Sequence, residues 1–393
     1  MSNLQLNRLG EIAKLFLKLG VIGFGGPVAH IAMIEDEVVQ RRQWLTKEHF
    51  LDLLGATNLI PGPNSTEMAI HIGYIYAGWL GLIVAGICFI LPAVLITGIF
   101  AFIYVDYGTL PQLTPLLYGI KPAVLGIIIN ALWGLSKKAI KTRQLLIIAV
   151  AVGLITWLGK VNEVMALLLG GILGMIWLHN SNQNHNGNRT NLMIAALTLS
   201  TTLPTITITP VVSLWKLSLF FLKVGSVLFG GGYLLIAFLQ GGLVNEYGWL
   251  TQQQLLDAIA IGQFTPGPVL STATFIGYII AGLPGAIVST VGIFLPSFLF
   301  VAILNPFIPW LRASSWTRYF LDAVNVSAVA LMVVTTLQLG ITIFTLEKVP
   351  DVDFLGLVIC LISAILAIFY RINPAWLVLG GGLIGLGISV FLA

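Results

Sequence analysis

Charge is what this chain has least of: Asp, Glu, Lys and Arg make up 9% of its 393 residues, where soluble domains carry roughly 25%. With 58% hydrophobic residues and a mean hydropathy of +0.98, the chain reads as a membrane protein. Its longest polar stretch is residues 179–191, too short for a soluble domain. Only two cysteines are present, Cys88 and Cys360, both in apolar runs, where they read as small buried hydrophobes rather than a disulfide. No set of His, Cys or carboxylates stands at metal-ligand spacing, so neither a metal site nor an enzyme is expected. The absence of a Walker-type glycine-rich lysine loop argues against a self-contained ATPase. The start of the chain lacks a secretory-signal pattern, so no leader is expected to be removed. The net charge of +4 sits in loops between apolar runs, which suits positive-inside topology and not nucleic-acid binding.

What the chain does have is apolar runs long enough to cross a bilayer. They cover residues 80–105, 116–135, 145–158, 164–178, 283–304, 323–344, 354–370 and 375–392. It also has an internal repeat. Lys18 and Lys223 lie 205 positions apart, and so do Trp44-Leu45-Thr46 and Trp249-Leu250-Thr251, Asp52 and Asp257, and Pro61-Gly62-Pro63 and Pro266-Gly267-Pro268. After one deletion the interval is 204, pairing Gly73-Tyr74 with Gly277-Tyr278 and Leu91-Pro92 with Leu295-Pro296. Lys, Trp, Asp and Pro in register do not arise from apolar bias. The chain is a duplicated unit, an architecture that in a membrane points to transport.

The cations say how the two copies are oriented. Lys137, Lys138, Lys141 and Arg143 correspond to Ile341, Thr342, Thr345 and Glu347, and Arg41, Arg42 and Lys47 to Glu246, Tyr247 and Gln252. Conversely, Arg312 and Arg318 correspond to Gly108 and Thr114. Loops basic in one half are stripped of cations in the other, so the halves are expected to face opposite ways. An odd connecting segment is then required, and residues 192–209 are apolar. We therefore expect an all-α polytopic membrane protein of two inverted-topology repeats. Residues 1–180 form the first, 181–210 a polar linker plus a connecting transmembrane helix, and 211–393 the second. The segments around Phe24-Gly25-Gly26 and Pro61-Gly62-Pro63, and their counterparts, are broken by Gly or Pro. They read as re-entrant helix pairs, with a continuous kinked helix as the alternative, meeting around one central site.

These breaks are the candidate substrate site. In each Pro-Gly-Pro the first Pro ends one helix, the Gly permits an unusual turn, and the second Pro suits the start of the next helix. Pro61, Gly62, Pro63 and Asn64, with Pro266, Gly267 and Pro268, would thus present helix N-termini to an anion; a plain kink is the competing reading. Phe24, Gly25 and Gly26, like Gly230 and Gly231, let backbone approach a ligand, or let helices pack tightly. Lys18, Lys223 and Lys121 are candidate countercharges, with snorkelling as the bland alternative for the first two. Asn58 and Gln263 precede the two turns and are placed either to donate to ligand oxygens or to cap broken backbone. Glu67 and His71, at i and i+4, form a speculative proton pair without a match in the second half. His30 and the cluster Glu35-Asp36-Glu37 with Arg41-Arg42 read as a solvated, ion-paired face.

Taken together, Phe24-Gly25-Gly26-Pro27 with His30, Trp44-Leu45, Pro61-Gly62-Pro63, Gly73-Tyr74 and their second-half partners resemble the chromate ion transporter family in its long, two-domain form. The resemblance covers nearly the whole chain. It implies efflux of chromate, a sulfate-like dianion, across the cytoplasmic membrane of a prokaryote, giving chromate resistance. A proton-coupled oxyanion importer and an anion channel stay open as alternatives. No cofactor is implied, the partners are the oxyanion and the lipid bilayer, and a homodimer is left open. Asn58 stands where the family usually shows Gln.

Overall fold

The computed structural model describes residues 3–107, 114–158, 161–183, 212–229, 232–304, 310–311, 314–345 and 353–392. The first repeat opens with α1 (Asn3–Ile22), broken at Gly25, whose φ of 104° is left-handed and favours glycine. Pro27 then starts α2 (Gly26–Glu35), which widens into a π-helical turn, Asp36–Arg41. Thr46 caps α3 (Lys47–Thr57), its hydroxyl accepting the His49 N–H at 3.2 Å. Pro61-Gly62-Pro63 interrupts the chain before α4 (Asn64–Tyr107), followed by α5 (Thr114–Ala139), α6 (Arg143–Trp157) and α7 (Glu163–Gln183).

The second repeat follows the same order. It comprises α8 (Leu214–Val227), α9 (Leu235–Leu239) with a π turn at Gln240–Glu246, and α10 (Gln252–Phe264). A 3₁₀ turn at Val269–Ser271 leads into α11 (Thr272–Leu304), then α12 (Ser315–Phe344), α13 (Phe354–Phe369) and α14 (Pro374–Leu392). Thr251 caps α10 in a full capping box with Gln254. The repeated Trp-Leu-Thr is therefore a helix start in both halves.

Neither α4 nor α11 is straight. At Ala77-Gly78 and Ala281-Gly282 the backbone leaves helical geometry, with glycine φ of 66° and 62°. A methyl group on Gly73 would lie 2.3 Å from the Gly81 carbonyl oxygen and 2.5 Å from Ala85 Cβ. In a straight helix residues 73 and 85 would be about 18 Å apart, so the arms of α4 fold back on each other. Gly277 meets Gly285 and Ser289 in the same way. At the kink end of the first arm, Tyr76 stacks on Trp44, centroids 3.9 Å apart. Trp44 precedes α3, so α3 and the first arm of α4 begin and end side by side. They form a helix hairpin with Pro61-Gly62-Pro63 at its tip.

The repeats exchange helices. From the first, α5 packs on α13 and α14 of the second; from the second, α12 packs on α6 and α7 of the first. Glycines allow the contact, Gly119 against Gly381 and Gly170 against Ser327. Reciprocal contacts of this kind mark a two-fold relation. Its direction is visible in the counterpart helices α5 and α12. Lys141, just past the end of α5, pairs with Asp322 near the start of α12 at 3.0 Å. Leu125, midway along α5, lies against Gly340 near the end of α12. Tyr118 near the start of α5 donates to Asp353, beyond the end of α12, at 2.8 Å. Counterpart helices run antiparallel, so the repeats are inverted.

Five helices among the described residues are long and apolar enough to cross a membrane, α4, α5, α7, α11 and α12. Ile83, Ile87, Leu91, Leu95 and Ile99 make an exposed stripe along α4, and Ile287, Val291, Leu295, Leu299 and Ile303 make its counterpart on α11. Ten exposed aliphatic side chains at four-residue spacing suit lipid and not water. The polar run from His179 begins as the end of α7, and His179 stacks on Trp316 at 3.9 Å. Its apolar body finds an aromatic partner, and the helix continues. The rest of that run and the connecting helix expected at 192–209 lie outside the described residues.

Candidate functional site

The broken segments of the two repeats meet crosswise. The Gly62 N–H donates to the Leu228 carbonyl at 2.7 Å, and the Gly267 N–H donates to the Gly23 carbonyl at 2.7 Å. Gly267 is the counterpart of Gly62, and Leu228 of Gly23. Each Pro-Gly-Pro tip is thus latched to the helix break of the opposite repeat. The glycine φ values, 145° and 88°, explain why glycine stands at both tips. Asn58 and Asn64 brace the first tip, Asn64 Nδ2 donating to Asn58 Oδ1 at 2.6 Å and Asn58 Nδ2 to the Leu54 carbonyl at 3.0 Å. Gln263, beside the second tip, is buried with its Nε2 unpartnered.

The two latches differ in what packs on them. Against Gly62 lie the Glu67 carboxyl and the Ser297 hydroxyl of α11; against Gly267 lie Ala93 and the Gly20 carbonyl. Glu67 and His71 are fully buried, and neither carboxyl oxygen nor either ring nitrogen has a hydrogen-bond partner. Ser297 Oγ is unpartnered too. The counterparts of Glu67 and His71 are Ser271 and Phe275, so the titratable groups stand on one latch only.

His30, read as solvated, is instead 1% exposed. Its Nε2 lies 2.9 Å from the Gly23 carbonyl, which accepts only, so Nε2 carries the proton and the Ser65 hydroxyl donates to Nδ1 at 3.3 Å. His30 therefore ties the Gly267 latch, through Gly23, to the first turn of α4. Glu37 is buried as well, while its ion pairing is as expected. Lys18 Nζ lies 2.6 Å from Glu37 Oε1 and Arg42 Nε 3.2 Å from Oε2. The Lys18 hydrogen bond first, and then Arg42, holds the Glu37 carboxyl below the usual carboxylate range despite burial.

Two of the candidate lysines, Lys18 and Lys121, pair with an acid. The counterpart of Glu37 is Gly242, and Glu163 of α7 packs against the neighbouring Gly241. Lys223 lines a small pocket with Glu163 and Glu246. Lys121 of α5 reaches across to Asp257 of α10, 3.6 Å away, and Tyr104 of α4 donates to the other Asp257 oxygen at 2.8 Å. Asp257 is 1% exposed. This triad binds the first repeat to the hairpin that ends in Gln263 and the second Pro-Gly-Pro. Phe24 stands exposed beside the first break, and Gly25 and Gly26 form the left-handed turn before α2. Gly230 and Gly231 lie outside the described residues.

The model of the chromate transporter family matches this chain twice, over residues 10–175 and 215–386. The chain belongs to the chromate transporter family. The two matched regions are its two inverted repeats. A chromate transport protein of Cupriavidus metallidurans is 32% identical over 384 residues, covering 96% of this chain and 92% of the relative. A probable chromate transport protein of Synechococcus elongatus is 33% identical, covering 84% of each. A chromate transport protein of Pseudomonas aeruginosa is 31% identical, covering 94% and 90%. No solved structure matches.

For this family member, motif reading singled out the Pro-Gly-Pro tips, Glu67, His71 and the three lysines as candidates. It did not place His30, Asp257, Tyr104 or Ser297 in the buried core. Asp257 carried a signal, because an intramembrane lysine such as Lys121 calls for an acid, and Asp257 is an acid beside an apolar run. Ser297 and Tyr104 carried none, being polar residues of ordinary kind on long apolar helices.

Proposed function

We propose that the chain exports chromate, or a sulfate-like oxyanion, across the cytoplasmic membrane by alternating access, and so confers chromate resistance. The observation that carries this reading is the reciprocal pair of latches at Gly62 and Gly267 between inverted repeats. The operation that exchanges the latches also exchanges the two faces of the membrane. Opening one latch while keeping the other therefore exposes the centre to one side, and the reverse exposes it to the other side. The helix starts behind both tips favour an anion, with Gln263 and Lys121 as polar and cationic partners and Asn58 and Asn64 shaping the first tip. A dianion leaving an inside-negative cell gains about 4.6 kcal/mol per 100 mV, so potential alone supports export.

The test is chromate flux in proteoliposomes under an imposed potassium diffusion potential. Chromate should leave inside-negative vesicles faster as the potential rises, with sulfate competing. Flux no greater than in protein-free vesicles would overturn the reading. Turnover far above about a thousand ions per second would replace a carrier with a channel, because domain motions take microseconds to milliseconds.

A further inference from the structure

The Gly62 latch holds an arrangement that half two does not copy. Glu67 lies against Gly62 with Ser297 of the opposite repeat on the same glycine, and both Glu67 oxygens are buried without a hydrogen-bond partner. Among the described residues, no cation answers it from the elements packed around this arm of α4. From α1, Arg8 and Glu11 go to Tyr76, Lys14 is exposed and Lys18 goes to Glu37. The charged residues of α3 are exposed, and α11 has none. The π turn keeps Arg42 on Glu37. From α2 comes His30, held by Gly23 and Ser65. An ionised carboxylate buried without a partner is strongly unfavourable, and a bound proton removes that penalty.

Along the same helix, a buried imidazole stands between Glu67 and a pocket. Glu67, His71 and Ile75 stand at i, i+4 and i+8, about 6 Å apart per step. His71 is buried with both nitrogens unpartnered, and Ile75 lines a pocket of about 340 Å³ with Arg8, Trp44 and Tyr76. The helix thus passes from an open pocket, through an imidazole able to take and give a proton, to a carboxyl on the latch.

We propose that Glu67 is a proton site linked to the transported anion, with His71 relaying the proton from the Arg8–Trp44–Tyr76 pocket. This inference rests on the transport reading above. A dianion at the Pro-Gly-Pro helix starts repels an ionised Glu67, so anion and proton bind together, and each strengthens the other equally. The proton crosses with the anion while the latch is closed and leaves when it opens. One dianion then moves with one proton, and the cycle carries one negative charge instead of two.

The experiment is chromate flux in proteoliposomes of the whole chain, with potential clamped at zero and a proton gradient of one pH unit imposed. The wild type should accumulate chromate about tenfold on the alkaline side, the one-to-one limit for one pH unit. Glu67→Gln should still exchange labelled for unlabelled chromate but show no response to the gradient, and charge moved per chromate should rise from one to two. His71→Asn should slow the gradient-driven flux and leave exchange intact. Wild-type chromate flux indifferent to the proton gradient would overturn this proposal and leave the transport reading standing. A Glu67→Gln protein that still follows the gradient would overturn it as well. Absence of any chromate flux in the wild type would remove both.

Discussion

Replacing Lys121 with methionine keeps a long side chain in α5 and takes the cation away from Asp257. The Asp257 side chain is 1% exposed, and its Oδ1 makes no hydrogen bond, so only the Tyr104 hydroxyl on Oδ2 would remain. Breaking a buried pair on one side costs about 3–5 kcal/mol. Protonation sets an upper bound, because neutralising an Asp of ordinary pKa near 3.9 costs about 4 kcal/mol at pH 7 and about 1.5 kcal/mol at pH 5. Lys121→Met should therefore lose up to about 4 kcal/mol of stability at neutral pH and recover most of it at pH 5. Asp257→Asn should cost less, since Lys121 is 17% exposed and can turn toward water. The double variant should lie near the wild type, because the Tyr104 hydroxyl can still donate to the amide oxygen. The assay is thermal unfolding in detergent, followed by tryptophan fluorescence at both pH values. Losses that add across the two single variants, or a Lys121→Met loss unchanged between pH 7 and pH 5, would refute the buried pair.

Gly62→Leu and Gly267→Leu each force a side chain into a left-handed turn and onto the latch partners, where a Cβ at Gly62 would already sit 2.6 Å from Ser297 Oγ. Both should insert normally and lose chromate flux, and retained flux would count against the latches. His30→Leu copies Leu235, the residue of the second repeat. It should cost about 1–2 kcal/mol in thermal unfolding through the lost Ser65 link, with no cost pointing to an idle histidine. Lys18→Met leaves Arg42 on Glu37, so its effect at pH 7 should stay below about 1 kcal/mol. Because the Glu37 carboxyl is held low, its pairing stabilises the fold above the ordinary Glu range and is lost as pH falls through the lowered value. The Lys18→Met difference should accordingly vanish in acid, as a pH series of melting curves will read.

The repeat was legible because Lys, Trp, Asp and Pro recur at fixed intervals where apolar bias cannot place them, and its inversion was legible in the lopsided cations. The helix hairpins were legible as breaks at Gly and Pro. Helix exchange was not, because hydrophobic periodicity shows which face of α5 is buried and not that α13 and α14 cover it. The burial of His30 and Glu37 was hidden for a related reason. A short stretch holding Glu35, Asp36, Glu37, Arg41 and Arg42 looks solvated until Lys18, from a different helix, is seen to close over one carboxylate of the three. The unpartnered state of Glu67 was likewise invisible, since a carboxyl near a helix start ordinarily finds backbone or solvent.

The asymmetry between the repeats is informative because their backbones agree so closely. Both tips carry the same Pro-Gly-Pro, the same left-handed glycine and a 2.7 Å latch. If the latches served only to hold the molecule together, matched surroundings would serve both. Instead Glu67, His71 and His30 gather in the first repeat, where the second has Ser271, Phe275 and Leu235, and Lys121 faces Asp257 where the second repeat offers Asn325. Two-fold symmetry makes the two closed ends interchangeable, and charge on one side alone breaks that equivalence. A transporter with identical ends runs equally well in both directions under zero driving force, and one-sided titratable groups cannot change that equilibrium. What they do change is which step takes up a proton, and thereby how the membrane potential and the proton gradient divide the work of moving the anion.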